Sequence, residues 1–419
     1  MSDTYRVQAT DKNIKGNIKL TGSKSIANRV LLIRALCGTH FEIENMSESD
    51  DSKTMSALLA SSEYELDAHH AGTTFRFLTA YLASRGGENV LTGSDRMKQR
   101  PIGPLVDALN DLGADISYVD KVGYPPLKIG NPKGFDSPEV SVRGDISSQY
   151  LSALLMIGPT LPKGIVLNIT GELVSRPYLE MTLAIVTYFG IHHDWVENTI
   201  IVPPQSYQPK PYFVEADWSA ASYYYSIAAL ADEADITLIG LQKESLQGDS
   251  AIAEIGKKFG ITSTFENNEV RLIKEKGHLA TPFLEYDFIK QPDIAQTVFA
   301  MCAGKGIQGL FTGLQTLYIK ETDRIAAFKT ELAKVSVYLT KVPERFKKNT
   351  PGEYFMTEGQ ADLSIAPAFD TYHDHRMAMA LAPLALLGEI MVNDAGVVSK
   401  SYPGFWQDLE SLGFLVEKV

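Results

Sequence analysis

A loose internal repeat constrains this chain more than any other feature. Six times, a helix-period run of small and apolar residues stands behind a polar first turn. A β-like run ending near a glycine follows, then a polar turn, then an amphipathic helical run often closed by glycine. The first runs begin near Ser25, Gly72, Ser147, Ser219, Asp293 and Asp374. The second follow Asn45-Met46, Thr92-Gly93, Thr170-Gly171, Ile239-Gly240, Thr312-Gly313 and Ala395-Gly396. Several end at Leu112-Gly113, Phe189-Gly190, Phe259-Gly260 or Leu412-Gly413, with glycine at the favoured stop position. The copies recur at roughly 70 residues, longer than the common solenoid periods. Ordinary α/β alternation explains part of this, but not the same internal order six times.

From Asp51 to Gly72 there is room for one helix and little more, so the first copy is expected to lack a strand or two. A chain of 419 residues exceeds one ordinary core. The proline-rich connector Pro203-Pro204-Gln205 to Pro211 points to a boundary near Val214-Glu215, dividing the copies three and three. The expected architecture is α/β, with mixed sheets and helices packed inside two clusters of three units.

The net charge of −12 argues against a nucleic-acid partner, which would require a basic face. It leaves room for a small anionic substrate, because a local cluster of Lys and Arg can oppose the global field. Cys37 and Cys302 lie in apolar helical runs and read as structural thiols in a reducing compartment. The first residues lack an apolar core, and runs such as Met377 to Leu387 are too short to span a membrane. A cytoplasmic protein is expected.

The candidate chemistry sits at helix starts, where unpaired N–H groups and a positive dipole end attract anions. Lys320-Glu321-Thr322-Asp323-Arg324 opens the helix-period run Ile325, Phe328, Leu332 and Val335. Read as a first helical turn, it puts Lys320 and Arg324 on one face, with Glu321 placed to exchange a proton with whatever they hold. A solvated helix start with ion pairs is the plain alternative. Thr21-Gly22-Ser23-Lys24-Ser25 precedes Asn28-Arg29. It lacks the earlier glycine of a nucleotide-binding P-loop, which leaves an anion site or a simple cap.

Ala71-Gly72-Thr73-Thr74 allows close backbone approach to a ligand, or makes a tight turn. Arg96, Lys98 and Arg100 precede Pro101, which suits a first helical position. Ser147-Ser148-Gln149 offers three hydrogen-bonding side chains, of which N-capping explains one. Ser175-Arg176-Pro177 repeats the arrangement. Asp293 heads a helix as an N-cap or a proton acceptor. In Tyr372-His373-Asp374-His375-Arg376, the two histidines are two apart and do not share a helix face, so a metal is not expected. Arg376 is the better candidate there, as an anion clamp; Pro383 should kink its helix. Lys400 lies in the sixth polar turn. Together Lys24, Arg29, Arg100, Arg176, Lys320, Arg324, Arg376 and Lys400 occupy equivalent ends of equivalent units. That pattern predicts one cleft between two halves for ligands carrying phosphates and carboxylates.

These stretches, in order along almost the whole chain, resemble the 5-enolpyruvylshikimate-3-phosphate synthase family of enolpyruvyl transferases. The resemblance rests on Gly22-Ser23-Lys24-Ser25, Ala71-Gly72-Thr73, Arg96-Met97-Lys98 with Arg100-Pro101-Ile102-Gly103, Ser147-Ser148-Gln149, Pro292-Asp293, Lys320 to Arg324, Asp374-His375-Arg376-Met377-Ala378-Met379, and Lys400 with Pro403. It implies a two-domain inside-out α/β barrel of six units. Residues 23–214 would form the shikimate 3-phosphate side, and residues 1–22 plus 215–419 the phosphoenolpyruvate side. It further implies a cytoplasmic, monomeric transferase of aromatic amino acid biosynthesis, with no metal or organic cofactor and no nucleic-acid or membrane partner. The enolpyruvyl group would pass from phosphoenolpyruvate to the 5-hydroxyl of shikimate 3-phosphate through a tetrahedral intermediate.

By matching position, Ser25, Arg29, Ser147, Ser148, Ser175 and Lys320 would hold shikimate 3-phosphate. Gly72, Arg100, Arg324, Arg376 and Lys400 would hold phosphoenolpyruvate. Lys24 and Gln149 would touch both substrates. Asp293, near the attacking hydroxyl, and Glu321 would transfer protons. His70, Phe77, Thr316 and His373 depart from the family pattern, as does the shortened segment before His70. The alternatives are the sister transferase acting on UDP-N-acetylglucosamine, which would call for a reactive loop cysteine, and a non-catalytic binder of anionic metabolites, which could drop the two acids.

Overall fold

The computed structural model describes residues 3–277, 281–346 and 352–419. The chain divides into two compact units, Gly22–Val214 and Met1–Thr21 with Glu215–Val419. Each carries three sheets among the described residues.

The repeat has a definite topology. Strand Glu65–Asp67 passes through helix Gly72–Arg85 to the parallel strand Asn89–Thr92. Helix Gly103–Leu112 then leads to Ile116–Tyr118, which pairs antiparallel with Leu127–Ile129, itself antiparallel to Asn89–Thr92. A parallel pair needs a long crossover and an antiparallel pair does not, so both helices fall between the first three strands. The same first-second-fourth-third spatial order recurs in the sheets that start with Asn13–Lys19, Glu139–Arg143 and Phe283–Asp287.

Two sheets depart from it for reasons visible in the chain. The first copy, which has no room for more strands, pairs only Ile43–Glu44 with Tyr212–Phe213. The last sheet takes Tyr5–Ala9 between Ile390–Val392 and Phe414–Lys418, so both ends of the chain lie in one sheet.

The first helix of each copy is buried far beyond one face. In Trp218–Leu230 only Ser219 escapes burial, and all seven residues of His375–Leu381 are buried. A helix apolar on every side must be surrounded by protein. The strands instead alternate: Glu139–Arg143 and Leu127–Ile129 bury every second residue, leaving one sheet face to water. Within each unit, therefore, helices lie inside and sheets outside.

Three local expectations change. The helix after Asp323 starts at Arg324, because the Asp323 carboxylate accepts from Ala326 N at 3.0 Å and takes the N-cap. Lys320 and Glu321 precede the helix, and Lys320 shares no helical face with Arg324. The helix following Arg100 starts at Gly103 with Pro104 in its first turn, leaving Pro101 outside it. Helix His375–Leu381 ends before Pro383 and passes into the tighter turn Ala382–Leu386, because proline lacks the N–H that would continue it.

The return of the chain at Glu215 is fixed by one buried carboxylate. Glu215 accepts from Trp218 Nε1 at 2.9 Å, Gln242 N at 3.0 Å, Ser245 Oγ at 2.7 Å and Gln247 Nε2 at 3.0 Å. Burial pushes its pKa up, and these four donors oppose the rise. The same bonds order residues 242–247, which lead into the turn Gly248–Ala251. Replacing Glu215 by Ala strips the acceptor from four donors. It should cost about 3 kcal/mol, given the penalty of a few kcal/mol for buried unsatisfied groups. Urea unfolding of wild type and variant measures it.

Candidate active site

In the unit Gly22–Val214, helix starts converge. Helix Lys24–Cys37 carries Ser25, Asn28 and Arg29. Lys24 Nζ lies 3.2 Å from Asp51 Oδ2, at the start of helix Asp50–Ala60. Thr74 Oγ1 donates to the Asp51 carbonyl at 2.9 Å, tying the Gly72–Arg85 helix to that pair. Gln149 Nε2 donates to Thr73 Oγ1 at 2.8 Å, and its backbone N–H donates to the Ser147 hydroxyl that caps Ser148–Ile157. At Gly72, a Cβ would stand 2.4 Å from Arg100 Nη1, so glycine lets that guanidinium lie against the backbone.

Arg29 is fully buried among neutral acceptors. It donates to Thr182 Oγ1 at 2.7 Å, Ser25 O at 2.9 Å, Ser152 Oγ at 3.0 Å and Tyr178 O at 3.3 Å, between the rings of Phe77 and Tyr178. Burial lowers its pKa to about 10. Ser175 takes a left-handed conformation ahead of helix Arg176–Tyr188. Arg176 turns outward, pairing with Glu180 at 2.8 Å over the ring of Trp195.

The other unit gathers charges of both signs. Arg324 is only 2% exposed, yet three carboxylates surround it. Its Nε donates to Asp374 Oδ2 at 2.7 Å, Nη1 to Asp293 Oδ1 at 3.1 Å and Nη2 to Glu321 Oε2 at 2.8 Å. Burial pulls its pKa down, but Asp374, Glu321 and Asp293 prevail and raise it. Asp293 also faces Lys320 Nζ at 3.4 Å and Arg376 Nη2 at 3.1 Å. Burial lowers the Lys320 pKa, with Arg324 and Arg376 adding to the effect. Lys400 Nζ donates to Glu321 Oε1 at 3.0 Å.

Helix starts position these groups too. Asp374 caps helix His375–Leu381 by accepting from Arg376 N at 2.9 Å, and both its oxygens also face Arg324. The loop before it, with Tyr372 and His373 left-handed, is clamped by buried Glu331 on the Arg324 helix. Glu331 accepts from Tyr372 Oη at 2.7 Å and Asp370 N at 2.9 Å. Of the two histidines, His373 is exposed with Nδ1 2.9 Å from Asp394, and His375 is buried with Nδ1 3.6 Å from Asp374.

Such an arrangement, carboxylates held among cations at helix starts, can grip anions and move protons. The family model described as EPSP synthase (3-phosphoshikimate 1-carboxyvinyltransferase) matches residues 8–62 and 56–409. The chain belongs to this family. A 3-phosphoshikimate 1-carboxyvinyltransferase of Bacteroides fragilis (strain YCH46) is 45% identical over 403 residues, 96% of each chain. One from Vibrio atlanticus is 36% identical over 436 residues, covering 96% of this chain and 97% of that one. The solved structure of an EPSP synthase from Acinetobacter baumannii shares the fold, with a TM-score of 0.77 at 20% identity over 99% of this chain and all of that one.

Against the family reading of the sequence, the structure brings Asp293, Lys320, Glu321, Arg324, Arg376 and Lys400 into one contact network within one unit. In the other, Lys24 reaches the Gly72 helix through Asp51 and Thr74, Gly72 lies against Arg100, Gln149 bonds Thr73 and Ser147, and Arg29 bonds Ser152 on the Gln149 helix. Arg176 stands apart. Asp51, Ser219, Asp249 and the carboxylate role of Asp374 were missed. Asp374, Ser219 and Asp51 had a signal, since each sits at a polar helix start; Asp249 had none.

Arg324 should be the structural keystone of its network. Arg324→Met leaves three carboxylates without their shared cation. It should cost about 3–5 kcal/mol, the scale for breaking a buried ion pair. Arg324→Lys keeps the charge but not the fork, and should cost less. Chemical denaturation of both variants separates the two contributions.

Proposed function

We propose that the chain transfers the enolpyruvyl group of phosphoenolpyruvate to the 5-hydroxyl of shikimate 3-phosphate, releasing inorganic phosphate. The observation that carries this reading is the pair Asp293 and Glu321, two carboxylates sharing Arg324 and flanked by Lys320, Arg376 and Lys400. A binder of anions needs the cations; proton transfer needs the acids as well. We take the enzyme to work in the cytoplasm as a monomer on two small-molecule substrates. Among the described residues no helix is long and apolar enough to cross a membrane.

In this reading Ser25, Arg29, Ser147, Ser148, Ser175 and Lys320 hold shikimate 3-phosphate. Gly72, Arg100, Arg324, Arg376 and Lys400 hold phosphoenolpyruvate, and Lys24 and Gln149 contact both. Residues 23–214 form the shikimate 3-phosphate side and the remainder the phosphoenolpyruvate side. Anion binding then does two jobs. It aligns the hydroxyl with the enol carbon, and it competes with Asp293 for the N–H groups of Lys320 and Arg376. A carboxylate relieved of its cations is a better proton acceptor.

The hydroxyl oxygen bonds to C2 of phosphoenolpyruvate and its proton passes to Asp293, while C3 takes a proton from the protonated Glu321 carboxyl. In the tetrahedral intermediate C3 returns a proton to Glu321, the double bond re-forms, and the C2–O bond to phosphate breaks with its electron pair on the leaving oxygen. The hydroxyl proton ends on phosphate. The two carboxyls must hold opposite protonation states at each step, and the cations stabilise charge developing on the departing group.

The sister transferase acting on UDP-N-acetylglucosamine is the poorer fit. Cys302 is buried and burial pushes its thiol pKa up, the reverse of a reactive cysteine. Cys37 ends a helix and donates to the Tyr207 carbonyl at 3.6 Å.

A coupled phosphate-release assay tests the proposal. Phosphate should appear only with both phosphoenolpyruvate and shikimate 3-phosphate present. Equal release with UDP-N-acetylglucosamine in place of shikimate 3-phosphate would move the assignment to the sister reaction. Gly72→Ala should push the Arg100 guanidinium off its seat. The loss should be about 1.5–3 kcal/mol, the scale of a hydrogen bond to a charged group. The KM for phosphoenolpyruvate should then rise roughly tenfold or more, with thermal stability little changed.

A further inference from the structure

One buried acid in the same network has no role in the chemistry above. Asp249 lies in the turn Gly248–Ala251, which the Glu215-ordered loop delivers, and is 5% exposed. Its Oδ2 accepts from the Ser219 hydroxyl, and Ser219 Oγ accepts from Arg376 Nη2 at 3.3 Å. Its Oδ1 is buried with no hydrogen-bond partner among the described residues.

The groups facing Asp249 come from four elements. They are Asp217, which caps helix Trp218–Leu230; Asp293; Arg376; and Tyr286, whose hydroxyl accepts from the Gln291 amide. Glu254 and Lys257, on the helix that follows, are exposed and pair with each other. Two anions and one cation therefore bear on a carboxyl cut off from water.

We propose that Asp249 is a positioning residue for Arg376: through the Ser219 hydroxyl it sets how fully the Arg376 guanidinium is available to an anionic ligand. This rests on the reading that Arg376 holds phosphoenolpyruvate. Burial, then the Asp293 charge, raises the Asp249 pKa to about 7, with Arg376 and Ser219 opposing. Neutral Asp249 adds no charge against the ligand, which then competes at Arg376 with the Asp293 carboxylate. Ionised Asp249 pulls on the Ser219 hydroxyl and repels the incoming anion. The bound anion favours the protonated form, so affinity is highest below about pH 7 and falls as pH rises through that value.

The test is the KM for each substrate, by phosphate release, between about pH 5.5 and about pH 8.5, a range that brackets the Asp249 transition. Wild type, Asp249→Asn and Ser219→Ala are compared, so ionisation of phosphoenolpyruvate itself cancels. From low to high pH the wild-type KM for phosphoenolpyruvate should rise about fivefold or more beyond the rise in Asp249→Asn, the lower end of coupling between two binding events. The KM for shikimate 3-phosphate should follow the same course in both. Ser219→Ala should reduce the phosphoenolpyruvate rise and move it to higher pH, because it cuts the link to Arg376 and removes a bond that holds the Asp249 pKa down. Parallel profiles in wild type and Asp249→Asn, or lowered stability with an unchanged profile, would overturn the proposal. Should Asp249→Asn fail to fold, an unaltered profile in Ser219→Ala overturns it alone. A wild type that releases no phosphate refutes the functional reading instead, and this one with it.

Discussion

A guanidinium shared by three carboxylates organises the unit that contains residues 215–419. Arg324 has almost no contact with water, so its charge must be compensated by protein. Asp374, Asp293 and Glu321 come from three separate segments, and each takes a different nitrogen or edge of the fork. The planar fork imposes geometry on all three at once. That makes the positions of the acids properties of the fold, not of three independent loops. It also leaves two of the acids further cations: Lys320 and Arg376 at Asp293, Lys400 at Glu321.

The inside-out packing explains why such a network can exist there. A helix buried on all sides still ends somewhere, and its first N–H groups and positive dipole end must be satisfied. Asp217 and Asp374 do so by capping, and each begins a helix that is almost wholly buried. The repeat places such starts in several copies of one unit. Polar and charged residues concentrate at them because the helix bodies accept few. Site and core are thus two consequences of one arrangement.

Much of this was legible in the chain. The repeat, its short first copy and the helix starts follow from periodicity and glycine punctuation, which local sequence encodes. The first turn at Lys320 was misread because charge spacing alone cannot tell a helical turn from the segment before a cap. Asp323, the residue that takes the cap, decides it. Arg176 shared the sequence pattern of the other cations, but Glu180 and Trp195 hold it at the surface, and neither neighbour belongs to the motif. Asp249 and Ser219 meet across thirty positions, and Arg376 lies far beyond both. Contacts of that kind depend on how units pack, which no window of sequence contains.

Two buried arginines, one in each unit, are compensated in opposite ways. Arg29 is as buried as Arg324, but its acceptors are two hydroxyls and two carbonyls, all neutral. Its pKa falls with burial, whereas that of Arg324 rises against burial. Neutral dipoles can satisfy N–H groups without cancelling charge, so Arg29 keeps a net positive field in a low-dielectric setting. Such a group favours a tightly held anion and has little to offer a proton. The Arg324 network instead sets three carboxylates among four cations, so groups that accept a proton lie beside groups that hold an anion. A reaction that must both anchor a phosphorylated acceptor and shuttle protons at an enol carbon calls for one site of each kind.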